Sequence, residues 1–141
     1  MSEKQNKTIA HQLIEDVMNQ GILSLSEQFL STDFVEHEEL PPGTPTGIEG
    51  FNHLVAELHS AFPDFKATIH EMIAEDDKVA VYMNWSGTQQ GAFMGMPPSG
   101  NRISISVFDI FRMADGKIAE HWGLTDSMAM MQQLGTMPPS E

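Results

Sequence analysis

The stretch ISISVFDIFRMADGKIAEHWGLTD, Ile103 to Asp126, carries the strongest structural signal in the chain. Ile103, Ile105, Val107, Phe111 and Met113 recur at every second position, the spacing of a strand with one apolar face. ADGK (114–117) then reads as a hairpin turn, and Ile118 to about Thr125 as the returning strand. Asp109 breaks the pattern. It holds the register of those apolar residues, so its carboxylate points to the buried face and must find a partner or become neutral. The turn decides which partner. If Ala114, Asp115 and Gly116 form a three-residue loop, Met113 pairs with Lys117 and Asp109 stands opposite His121. A two-residue loop instead opposes Asp109 and Trp122. Directly opposed side chains on one face lie close enough to interact. An Asp109–His121 pair in an apolar pocket is an acid–base apparatus: the carboxylate fixes the imidazole tautomer, and the imidazole moves a substrate proton. The competing reading is a hydrogen bond that only locks the hairpin. Asp126, directly before SMAMMQQL, fits a helix N-cap better than a catalytic carboxylate, though the two roles do not exclude each other.

Working outward, Val79, Val81, Met83 and Trp85 alternate along another strand, preceded by a strand over Lys66–Ala74 and a turn at EDDK (75–78). Ala10, Leu13, Ile14, Val17 and Met18 take helical spacing, which predicts an amphipathic helix over 5–20 stopped by Gly21. A short helix over Ser24–Leu30 follows, then a brief strand in DFVEHEEL (33–40). PPGTPTG (41–47) is a loop by composition. Phe51, Leu54, Val55, Leu58 and Phe62 mark a further helix, ended by Pro63. SMAMMQQL closes the chain as a short helix with Gly135 as its C-cap. Helices followed by an antiparallel meander mean an α+β domain. One domain is expected over 1–141, with its ordered core at about 8–135.

The composition excludes several functions. Seven basic residues face 20 acidic ones, a net charge of −13 that repels phosphate backbones and argues against nucleic-acid binding. No cysteine is present, which removes disulfides and thiolate chemistry. There is no membrane-spanning apolar run, and the start has no apolar targeting segment, so a cytoplasmic protein is expected. The histidines take neither HExxH nor another zinc spacing, and no phosphate-binding or dinucleotide fingerprint occurs, so neither metal nor cofactor is expected. His37, at the end of the first strand, is placed near a pocket mouth. Met83, Trp85, Gln89, Phe93 and Trp122 are further candidates to contact a ligand. The 11 methionines suit a deformable interior.

EHEELPPGTPTGIEGF, SGTQQGAFMGMPPSGNRIS, FDIFRMADGKIAEHW and QQLG, in this order, resemble the SnoaL-like polyketide cyclases, a branch of the nuclear transport factor 2-like superfamily that includes ester cyclases. The resemblance implies a cone in which N-terminal helices pack on a curved antiparallel sheet around a hydrophobic pocket. It also implies cofactor-independent ring closure by intramolecular aldol condensation, in dimers or tetramers. It places the family's catalytic aspartate at Gly123, which cannot transfer a proton, and the family's supporting histidine at Asp109. His121 and His37 match histidines found in relatives, and Gln89 replaces a pocket histidine. The expected function is binding of a small apolar carbonyl compound with cyclase- or isomerase-type chemistry. In that scheme His121, oriented by Asp109, is the base, and Gln89 or His37 supports the enolate oxygen. The alternatives are a non-catalytic binding protein and an epoxide-hydrolysing enzyme using Asp109. Ser104, Ser106, Phe108, Ile110 and Arg112 fall on the other sheet face, where Phe108 and Ile110 point to a homodimer interface.

Overall fold

The computed structural model describes residues 2–136, so the two ends of the domain expected over 1–141 lie outside the described residues. The first helix, α1 (Glu3–Gln12), starts from a capping box in which Ser2 Oγ accepts from Gln5 N–H and Gln5 Oε1 accepts from Ser2 N–H. The helix expected over 5–20 is not α throughout: Leu13–Asn19 is a π-helix. Its i→i+5 bonding stacks residues five apart, and Leu13 and Met18, five apart, both face the interior. Asn19 ends this segment by exchanging two hydrogen bonds with the backbone of Ala67, at 2.7 and 2.9 Å. A 3-10 turn (Leu23–Leu25) and a short helix α2 (Ser26–Phe29) lead into β1 (Leu30–Glu36). Helix α3 (Gly47–Ala61) packs over β1, and His59 Nε2 lies 2.6 Å from the carbonyl oxygen of Met18, tying α3 to the π-helix.

Four longer segments complete the sheet: β2 (Lys66–Glu75), β3 (Lys78–Thr88), β4 (Arg102–Ala114) and β5 (Lys117–Thr125), followed by α4 (Ser127–Gln133). The strand order is β1-β5-β4-β3-β2. The β2–β5 meander is antiparallel, as the sequence predicts, but β1 joins its edge parallel to β5. The fold is α+β, with the helices against one face of this curved sheet. The core between them holds Leu13, Ile14, Leu58, Phe62, Met83 and Ile103, all fully buried. Among the described residues no helix is long and apolar enough to cross a membrane.

The β4–β5 hairpin differs from both loop readings. Asp115 and Gly116 have φ of 52° and 77°, the paired positive values of a two-residue type I′ turn, and Ala114 pairs with Lys117. That register alone would oppose Asp109 and Trp122 and turn His121 outward. A β-bulge then intervenes: Met113 pairs with Ile118 but Arg112 with Glu120, leaving Ala119 as the extra residue. Beyond it Asp109 pairs with Gly123, and His121 occupies the same face one step along. The bulge restores the face that a three-residue loop would have given.

Asp126 caps α4, its Oδ1 accepting from Ala129 N–H at 3.1 Å. Asp126→Ala is expected to cost about 1 kcal/mol of stability, the usual worth of such a cap. Urea denaturation with an unchanged slope and a lower midpoint is the outcome that checks this.

Candidate functional site

Between the sheet and the helices lies a chamber whose walls are apolar except at one end. Leu13 and Met18 from the π-helix, Phe51 and Leu54 from α3, and Trp85 and Val107 from the sheet supply the apolar part. The polar end is built by three strands. β4 contributes Asp109, β5 contributes His121 and Thr125, and β1 and the residues just after it contribute Glu36 and Glu38. The enclosed volume is about 20 Å³, room for about one water molecule. A larger ligand would need side chains such as Met18, whose unbranched thioether is adaptable, to move. Glu36 and Glu38 also border an outer cleft under the Leu40–Gly47 loop, so they stand where the chamber meets the surface.

His121 is held from both sides. Its Nε2 lies 2.8 Å from Asp109 Oδ1 and its Nδ1 lies 2.5 Å from Glu36 Oε2. All three side chains are nearly closed off, 11 % exposed for His121, 7 % for Asp109 and 14 % for Glu36. The Glu36 contact follows from the parallel pairing, because Glu36 is the direct partner of His121. Burial by itself lowers the imidazole pKa. The hydrogen bonds to Asp109 and Glu36, with the charges of both carboxylates, outweigh it and hold the group up at about 10. At neutral pH His121 is therefore an imidazolium donating both N–H groups. A base role for His121, expected from the sequence, would require the neutral ring, and the raised pKa favours the charged one.

Glu38 sits beside this pair. Burial raises its pKa above the ordinary 4.5. The positive charge of His121 opposes the rise, and the negative charges of Asp109 and Glu36 add to it. Thr125 Oγ1–H donates to Glu38 Oε1 at 3.4 Å. Gly123 makes the convergence possible. A Cβ there would meet Asp109 Oδ1 at 2.7 Å, His121 Cε1 at 2.8 Å and Glu38 Oε2 at 3.0 Å. At the position where the resemblance implies a catalytic aspartate, carboxylates from β4 and the β1 end fill the space instead.

The sequence reading missed Glu36 and Glu38, although a signal was there. Phe34, Glu36 and Glu38 share one parity, and buried Phe34 sets the inward face of β1. Glu36, Glu38 and His121 each offer one donor atom, all within 4.8 Å of one another. Such a set suits a divalent cation once His121 has lost a proton. No sequential spacing marks it, because its members come from two segments far apart in the chain.

The remaining candidates are distributed elsewhere. Trp85 lines the chamber. Met83 is fully buried in the core beside it, paired with Val107. Gln89 is also fully buried, but its amide is spent on the 89–101 loop: Oε1 accepts from Ser99 Oγ at 2.7 Å and Nε2 donates to the Met96 carbonyl at 3.3 Å. Phe93 packs edge-on against Phe62. His37 and Trp122 lie on the outer sheet face, stacked on each other at 4.7 Å, and the bulge is what turns Trp122 outward. There His37 Nε2 contacts Glu120 at 2.9 Å. Asp126 faces its helix and not the chamber.

Comparison with known proteins gives the class. The model of the SnoaL-like polyketide cyclase family matches residues 8–134, so the chain belongs to that family. It is similar to the nogalonic acid methyl ester cyclase of Streptomyces nogalater, 28% identical over 125 residues, covering 87% of this chain and 92% of that protein. Among solved structures it resembles IdmH, a putative polyketide cyclase from Streptomyces antibioticus. That likeness has a TM-score of 0.79 and 32% identity, over 93% of this chain and 99% of that one. It also resembles AclR, a putative hydroxylase from Streptomyces galilaeus, with a TM-score of 0.84 and 27% identity over 99% and 87% of the two chains. One fold thus carries different reaction names, and the chemistry has to be argued from the side chains.

The protonation state of His121 is directly measurable. Its folded pKa of about 10 lies above the ordinary 6.5. The pair's stabilisation is thus fully present below about pH 6.5 and is lost as pH rises through 10. In an NMR titration the His121 ring signals are expected to stay at their protonated positions from pH 6 to 9. A midpoint near 6.5 would contradict the two-sided ion pair.

Proposed function

We propose that this protein is a cofactor-independent acid–base enzyme of the cyclase or isomerase type, acting on a small, largely apolar carbonyl compound. One observation carries the reading: a carboxyl of raised pKa, Glu38, stands beside a fixed imidazolium at the polar end of an apolar chamber. Ionised Glu38 takes a proton from the carbon next to a substrate carbonyl, and the electron pair moves onto the carbonyl oxygen as an enolate. In a cyclase the enolate carbon attacks a second carbonyl of the same molecule, and the resulting alkoxide recovers the proton from Glu38. The proton balance closes without an oxidant or a metal. His121, Asp109 and Glu36 are positioning residues in this scheme. They fix a positive charge beside the reacting atoms and keep Glu38 from carrying the only charge in the site. Glu38 takes the part that the family resemblance assigns to the position of Gly123.

Exchange in deuterium oxide tests this without knowledge of the natural substrate. Aryl β-keto esters should lose their α-protons faster with the protein present. Glu38→Gln should lower the accelerated rate on the order of 100-fold, as expected for loss of a general base. The rate should rise with pH through the raised pKa of Glu38 and fall again near pH 10, where His121 loses its proton. Ligands that bind with no exchange would favour the non-catalytic reading.

The outer sheet face supports a homodimer. Phe108 and Leu124 are cross-strand partners, 54% and 77% exposed, and Ile110 and Trp122 pair beside them. Tyr82 stacks on Phe108 at 4.7 Å, which extends the apolar patch across a third strand. A second copy of the chain placed on this face would bury on the order of 800 Å² per partner. Light scattering is expected to give a dimer for the wild type and a monomer for Phe108→Glu.

A further inference from the structure

The polar end of the chamber explains where a proton goes but not what holds the rest of the ligand. Trp85, on β3, is 7 % exposed and lines the chamber, packed edge-on against Phe65 at 5.4 Å. Its Nε1–H is one of two buried side-chain polar atoms without a hydrogen-bond partner among the described residues. The other, Asn6 Oδ1, belongs to α1 and is not part of the chamber wall. Burying an N–H without an acceptor costs more than a hydrogen bond returns, so such groups are rare in folded chains and call for an explanation. No other donor of the chamber wall is in this state. Both ring N–H groups of His121 go to carboxylates, and the Thr125 hydroxyl goes to Glu38.

We infer that the Trp85 indole N–H is the specificity-determining donor of the chamber, and that it takes a carbonyl oxygen of the ligand remote from the carbon facing Glu38. The inference rests on the reading of the chamber as a ligand site. Its geometry comes from the strand register. Trp85 pairs with Ile105 on β4, whereas Asp109 pairs with Val81, four residues further along β3. Four residues of strand span roughly 13 Å. Both side chains line the chamber, with Val107 between them on β4. An oxygen bonded to Trp85 is thus an anchor and not the enolate oxygen formed at Glu38. A ligand that satisfies both ends carries an oxygen acceptor for Trp85 that is separate from the carbonyl beside the carbon facing Glu38. A hydrocarbon would leave the indole N–H unpaired, and a cation would find no acceptor at that end.

Binding of 1-tetralone and of tetralin, which lacks the oxygen, separates the possibilities. By calorimetry the wild type should bind tetralone about tenfold more tightly, the worth of one net hydrogen bond. Trp85→Phe keeps an aromatic ring and removes the N–H, so the tetralone-to-tetralin ratio should fall close to one whatever the change in affinity for tetralin. An independent readout on the wild type covers the case in which the variant does not fold. In 1H–15N spectra, tetralone should move the Trp85 indole proton downfield while the Trp122 indole, on the outer face, stays in place. Equal affinities in the wild type, an unchanged ratio in a folded Trp85→Phe, or an unmoved Trp85 signal overturns the donor and leaves the acid–base reading standing. Failure of both compounds to bind at millimolar concentration overturns the donor and the chamber as a ligand site together.

Discussion

A buried imidazolium is affordable only when its charge is met on the spot, and this constraint orders the structure around His121. Two carboxylates are needed, one for each ring nitrogen, and they arrive from different directions. Asp109 comes from the adjacent antiparallel strand, and Glu36 from the strand on the other side. Several other features follow from that demand. Residue 123 has no side chain, because any Cβ there would stand among the converging oxygens. β1 runs parallel to β5, which sets Glu36 level with the ring. The bulge at Ala119 puts the ring on the inner face at all. The third carboxyl, Glu38, holds its proton more tightly than usual chiefly because it is buried, with the negative charges of Asp109 and Glu36 adding to the rise and the positive charge of His121 opposing it.

The hairpin shows how far sequence alone reaches. Alternation along Ile103–Met113 placed every inward residue of β4 correctly, since a period of two allows only two faces and one of them is apolar. The meeting of Asp109 with His121 was also legible, but through a register the chain does not use. The expected three-residue loop and the observed two-residue turn plus bulge each add one residue between the strands, so both bring the two side chains to one face. What the pattern does not contain is the bulge itself. Ala119 is small and apolar and sits comfortably at a buried position, so nothing in IAEHW announces that one residue lacks a partner. The same blindness sent Trp122 to the chamber. Gln89 was misplaced for a different reason: a buried amide signals only that it has partners, not that they are loop atoms and not a ligand. Glu36 and Glu38 were legible only through parity, since buried Phe34 fixes the inward direction of every second residue after it.

Membership of a family does not by itself specify the chemistry of its site. The helices and the strand arrangement are shared properties of the fold. The carboxylate that does the work need not be, because an apolar chamber with several inward positions around its polar end can present an acid from any of three strands. In the proposed mechanism the acid stands at the β1 end, where its surroundings differ from those inside the sheet. A residue beside the loop at the chamber mouth is less buried than one in the sheet, so its proton exchanges more readily with solvent. The apolar walls draw on the π-helix, α3 and the sheet together.

The parallel pairing of β1 with β5 has a consequence for how the molecule is assembled. The Glu36–His121 contact joins residues 85 positions apart, whereas the β2–β3 and β4–β5 hairpins close through turns of two residues. Closing a long loop costs more entropy, and such contacts form late. The meander is therefore expected to assemble first, with His121 paired to Asp109 alone on an open sheet edge. The strand bearing Glu36 then docks against a preformed surface and carries Glu38 with it. Formation of the polar cluster thus reports completion of the fold, and a chain that has not yet zipped up its last strand has no site to misuse.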